Sequence, residues 1–157
     1  MAAANDVIHL ACHGIFEKSK PILSYLDLAA GEGDDGKLMA WEIYTMKIQA
    51  DLVFMSGCET ALGDIDRGDN LLGLARSFLY AGAQSVIGTL WEVRETQALV
   101  DLIESFYRDL FAGKSKAEAL RQAQIKMIRG EYPSCKQKEK NSCQHPYFWA
   151  PFILIGL

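Results

Sequence analysis

Four short apolar runs punctuate the chain, and their spacing constrains the fold more than any other feature. They cover residues 7–12, 52–55, 85–90 and 152–155. Runs of this length, bounded by glycine or serine, are what strands buried on both faces require. Gly14 stops the first run and Ser56-Gly57 the second. Pro151 opens the last run and cannot donate to a ladder, so that strand belongs at a sheet edge. Helical stripes separate the later runs. Leu71, Leu74, Ala75, Phe78 and Leu79 recur at helical spacing, with Asp69 or Asn70 as N-cap and Gly82 just beyond the end. Leu99, Leu102, Ile103, Phe106 and Leu110 repeat the pattern up to Gly113. Ser115-Lys116-Ala117-Glu118 then reads as a capping box ahead of Leu120, Ala123 and Met127. Strands alternating with amphipathic helices predict an α/β fold: a mostly parallel central sheet, helices on both faces and a C-terminal edge strand.

The chain has 157 residues, 50% hydrophobic and 23% charged, which predicts one globular domain over 1–157. A net charge of −4 without a concentrated basic patch argues against nucleic acid and anionic membrane as partners. Residues 1–6 are Ala-rich without a basic residue and do not read as a signal peptide. The cysteines at 12, 58, 135 and 143 follow neither zinc-finger nor secreted-domain spacing. A cytoplasmic location with four free thiols is the expectation.

In open α/β sheets, ligands gather outside the carboxyl ends of the strands. Three such ends carry His13-Gly14, Ser56-Gly57-Cys58-Glu59 and Trp91-Glu92. A histidine and a cysteine at neighbouring strand ends are what a thiol nucleophile and its base need. Gly57 permits a tight turn that would project the Cys58 sulfur. Gly14 offers a backbone N–H beside His13 for an oxyanion. Either residue alone reads as a packed structural group; together, 45 residues apart and histidine first, they say more.

The runs Ile8-His9-Leu10-Ala11-Cys12-His13-Gly14 and 51–63, which includes Ser56-Gly57-Cys58-Glu59-Thr60, resemble the two catalytic motifs of CHAT domains. The likeness continues through 73–83, Leu90-Trp91-Glu92-Val93, 119–124 and 145–150, nearly the whole chain in order. CHAT domains are caspase- and separase-like cysteine peptidases of clan CD. The resemblance implies a caspase-like three-layer sandwich, His13 as base, Cys58 as nucleophile, and an oxyanion hole from the Gly14 and Cys58 N–H groups. Two departures stand out. The family has further strands before the histidine motif, and it usually carries Asp where this chain has Glu95.

The expected activity is therefore that of a cysteine endopeptidase working through an acyl-enzyme. Trp91, Glu92 and Glu95 are the candidates for substrate binding: an apolar wall and two carboxylates suited to Arg or Lys before the scissile bond. The alternative is a non-catalytic interaction or signalling module whose site is incomplete without another chain. The first apolar run should lie inside the sheet, and its uncovered edge would invite a second copy or a regulatory partner. No cofactor is implied. His9, Cys12 and His13 do not read as a metal site, because alternation sends Cys12 to the opposite face. Cys135, Cys143 and His145 could supply zinc ligands, but a surface loop with two free thiols is the preferred reading.

Overall fold

The computed structural model describes residues 7–17, 19–56, 69–136 and 143–156. Its strands are β1 (Val7–Ala11), β2 (His13–Ile15), β3 (Tyr25–Asp27), β4 (Lys37–Met39), β5 (Leu52–Ser56), β6 (Ser85–Thr89) and β7 (Phe152–Gly156). Its helices are α1 (Ala40–Thr45), α2 (Asp69–Tyr80), α3 (Gln97–Phe111), α4 (Lys116–Ile128) and α5 (Pro146–Trp149). The chain divides into two compact units, Met1–Glu92 with Ile155–Leu157 and Val93–Leu154.

The parallel-rich sheet has the order β1-β5-β6-β7, and β1, β5 and β6 belong to the first unit. β1 pairs with β5 in parallel from Val7↔Leu52 to Ala11↔Ser56. β5 pairs with β6 in parallel through Val53↔Val86 and Phe54↔Ile87. Every residue of β5 and β6 is buried, as their unbroken apolar runs demand. β7 takes the far edge, as Pro151 requires.

Among the described strands β1 has its outer edge uncovered, as expected, but it is less buried than an apolar run suggests, with His9 and Ala11 exposed and its other residues half-buried. A strand laddered on one side keeps less of its surface covered, so the fully buried centre falls to β5 and β6. The run also stops early. Cys12 forms a bend, and His13–Ile15 turn into a separate antiparallel sheet of order β2-β3-β4. Leu26, at the middle of its central strand, is fully buried. Gly36 closes the loop between β3 and β4 at φ +77°, where a Cβ would lie 2.6 Å from the Leu28 carbonyl oxygen. α1 follows at once, its start fixed by Met39 N–H donating to Glu42 Oε2 at 2.8 Å.

α2 buries Leu74, Ala75 and Phe78. Asp69 and Asn70, expected as caps, fall inside the helix. Gly82 ends it at φ +112°, and a Cβ there would meet the Ile48 carbonyl oxygen at 2.4 Å. Only glycine serves both demands.

In the second unit α3 and α4 pack together. Thr96 and Ser115 cap them, accepting from Leu99 N–H at 3.4 Å and Glu118 N–H at 3.2 Å. Leu102 and Phe106 of α3 and Ala123 and Met127 of α4 are fully buried. Each large apolar side chain so buried contributes about 1.5–3 kcal/mol. Tyr132 donates to the Ala123 carbonyl at 2.8 Å, and burial pushes its phenol up to about 12.

The expectation of free thiols at 135 and 143 is overturned, because Cys135 and Cys143 form a disulfide with Cα atoms 5.6 Å apart. Anchors on both sides hold the two together. Ser134 N–H and Oγ donate to Asp101 Oδ2 of α3 at 3.3 and 2.5 Å. Gln124 of α4 donates to the Trp149 and Phe152 carbonyls, each at 3.0 Å. Among the described residues no helix is long and apolar enough to cross a membrane.

Candidate active site

The parallel β1–β5 pair ends on Ala11 opposite Ser56. His13 stands two residues beyond Ala11, and Cys58 two residues beyond Ser56. Both motifs therefore leave the sheet at the same edge and from neighbouring strands. Cys58 itself, with Gly57 and Glu59, lies outside the described residues.

His13 opens β2 and is exposed. Its direct cross-strand neighbour is Asp27 of β3, which in turn faces Lys37 of β4. The Lys37 ammonium sits 5.1 Å above the centre of the Tyr25 ring. Gly14 is buried opposite Leu26, placing the backbone next to His13 in a fixed ladder.

One pair of residues escaped the sequence reasoning. His9 Nε2 and Ser56 Oγ are 2.8 Å apart, joining β1 to the last residue of β5. The same imidazole stacks on Phe54, with ring centres 4.9 Å apart and planes at 28°. Burial lowers the His9 pKa, so the ring is neutral at neutral pH. Residues 54 and 56 share a face of β5, but which residue of β1 stands beside them is set by the register, which the sequence does not state.

Cys12 is the free cysteine among the described residues, half-buried at the bend. Burial, and secondarily the Asp27 carboxylate, raise its pKa. A thiol held protonated is a poor nucleophile.

β6 ends beside β5 with Thr89, whose buried hydroxyl has no hydrogen-bond partner among the described residues. Trp91 follows half-buried and Glu92 exposed. Glu95 is exposed at the start of the second unit, one residue before Thr96, which caps α3. The possible zinc ligands at Cys135 and Cys143 are joined as the disulfide, and His145 Nδ1 accepts from Tyr147 N–H at 3.2 Å. Among the described residues no three His, Cys, Asp or Glu side chains form a group able to hold a metal ion.

A family profile described as "CHAT domain" matches residues 2–157. Tetratricopeptide repeat protein 28 of Mus musculus is 32% identical over 119 residues, covering 76% of this chain and 4% of that protein. Its Homo sapiens counterpart is 30% identical over 119 residues, with the same 76% and 4% coverage. The chain thus spans a small fraction of the length of the curated relatives it matches.

Proposed function

Because the chain belongs to the CHAT domain family, we propose that it is a cysteine endopeptidase of caspase-like fold acting through His13 and Cys58. The observation that carries this reading is the Ala11↔Ser56 register, because His13 and Cys58 each follow two positions later in the sequence. In this reading the parallel-rich sheet is the middle layer of a three-layer sandwich.

His13 takes the proton from the Cys58 thiol, and the thiolate attacks the peptide carbonyl carbon. The carbon–sulfur bond forms as the carbonyl electron pair moves to oxygen. Backbone N–H groups of Gly14 and Cys58 receive that oxyanion. Collapse expels the amine, which leaves with the proton from His13. A water molecule, deprotonated by His13, then cleaves the thioester and restores the thiol. The raised pKa of the Cys12 thiol supports Cys58 as the nucleophile.

Trp91 and Glu92 follow β6, which runs parallel to β5, and they would line the approach to the scissile bond. Preference for Arg or Lys rests on Glu92 and on the family likeness at Glu95. The partner is a protein or peptide chain. β1, at the sheet edge among the described strands, offers a place for a strand from a second copy or a regulatory chain.

A second reading, an interaction module without catalysis, draws on the relatives, which are named for tetratricopeptide repeats. One experiment separates the two. Wild type and Cys58→Ala are incubated with a peptide library and, separately, with a peptidyl electrophile. Cleavage by wild type alone, with adduct on Cys58, supports the peptidase. An unlabelled Cys58 and an uncut library would establish the module.

A further inference from the structure

We propose that His9 is a positioning residue for Cys58, acting through its hydrogen bond to Ser56. The inference rests on the reading of Cys58 as nucleophile. It begins from one side chain that grips the neighbouring strand at two places. Its Nε2 lies 2.8 Å from Ser56 Oγ, and its ring lies 4.9 Å from that of Phe54, two residues earlier on β5.

The consequences run along both strands. Ser56 is the last residue of β5, only 7% exposed, and two residues before Cys58. His9 is on β1, four residues before His13. One imidazole therefore ties the strand that delivers the base to the strand that delivers the nucleophile. β1 needs such a tie because it is laddered to β5 alone among the described strands. Backbone pairing fixes its register, while the side-chain bond fixes the end of β5, two residues before Cys58. His9 is not a second base in this arrangement. Its Nε2 is engaged with a buried hydroxyl on β5, and through Ser56 it holds the strand end two residues before Cys58.

Positioning of this kind is catalytically sensitive, since displacing a reacting group by 1 Å costs about 100-fold in rate. Three variants of the full chain test the idea. His9→Phe keeps a ring over Phe54 and removes the hydrogen bond. His9→Gln keeps a polar group near the Nε2 position and removes the ring. Ser56→Ala removes one hydroxyl and little packing. The readouts are iodoacetamide alkylation of Cys58, followed by mass spectrometry with Cys12 as internal reference, and kcat and KM on a cleaved peptide.

The expected result is a roughly 10-fold fall in Cys58 alkylation and in kcat for His9→Phe and Ser56→Ala, with KM within about twofold. His9→Gln should recover most of that loss, and the His9→Phe/Ser56→Ala double variant should be no worse than either single. Wild-type alkylation in Ser56→Ala overturns the proposal, as does equal impairment of His9→Phe and His9→Gln. The alkylation arm needs no turnover. If the predicted pattern of alkylation holds while wild type cuts no peptide, the peptidase reading fails and the positioning role stands.

Discussion

His13 and Asp27 stand directly opposite each other across the β2–β3 pair, and Asp27 stands opposite Lys37 across β3–β4. Directly paired residues project from the same face of a sheet with Cβ atoms about 4.5–5.5 Å apart. His13 thus has a carboxylate as its cross-strand neighbour, and that carboxylate separates it from an ammonium in the same row.

Asp27→Lys should therefore act on stability and rate together. It sets two lysines opposite each other, a change expected to cost about 0.5–1 kcal/mol. It also exchanges attraction for repulsion at the imidazolium that His13 becomes when it takes the thiol proton. Asp27→Asn should stay within about 0.5 kcal/mol of wild type and lie between the two in kcat. Urea unfolding and kcat on one peptide check both statements. Equal kcat in Asp27→Lys and wild type would remove Asp27 from the account.

Cys58→Ala and His13→Ala should each abolish turnover, by at least about 1,000-fold, while leaving the fold in place. His13 is exposed, so its truncation opens no cavity. The two groups act as one unit, and the double variant should be scarcely slower than either single. Thermal unfolding of each variant, run beside the assay, separates lost chemistry from lost structure.

Acid should loosen the β1–β5 edge. Burial lowers the His9 pKa from an ordinary value of 6.5, so the unfolded chain takes up a proton there more readily than the folded one. The neutral ring's contribution is fully present above about pH 6.5 and is lost as pH falls through the folded value. Wild type should therefore lose more Tm between pH 7.5 and pH 5 than His9→Phe, which carries no proton at that site. Parallel Tm curves for the two proteins would show that His9 contributes nothing to the pH dependence.

Long-period patterns were legible in the sequence and short-range pairings were not. The runs at 52–55 and 85–90 became β5 and β6 because a continuous apolar stretch can be satisfied only by burial on both faces. α3 was readable from its apolar stripe and α4 to its cap, since Ser115 with Glu118 three residues on and then an apolar stripe leaves few other solutions. The β2-β3-β4 sheet left no such trace. Its strands are three residues each, too short to display a period, and their partners are chosen by tertiary contact. β1 misled for a related reason: a run that is apolar apart from one histidine gives no sign that Cys12 bends and hands His13 to another sheet. At the site, the motif residues were evident from their order, whereas the His9–Ser56 bond depends on a register that no one-dimensional pattern states.

The Cys135–Cys143 bridge yields the last prediction. The two cysteines are eight positions apart, and the bridge closes a small loop between α4 and α5. Closing a loop of this size removes unfolded-chain entropy worth about 2–3 kcal/mol. Much of the surrounding structure is held independently. Ser134 bonds Asp101, Tyr132 bonds Ala123, and Gln124 bonds the Trp149 and Phe152 carbonyls. Those contacts do not pass through sulfur, so the second unit should keep its helices when the bridge is cut. Cys135→Ser, or a thiol reductant, should lower unfolding free energy by about 2–3 kcal/mol and leave the far-ultraviolet circular dichroism unchanged. Reductant should then have no further effect on the Cys135→Ser protein beyond that on its single thiols. Cys143, being 4% exposed, should be alkylated only after reduction, and more slowly than Cys135. Rapid alkylation of both residues in untreated protein would mean that the pair is a dithiol. Loss of helical signal on reduction would mean that the anchors at Asp101 and Gln124 depend on the bridge.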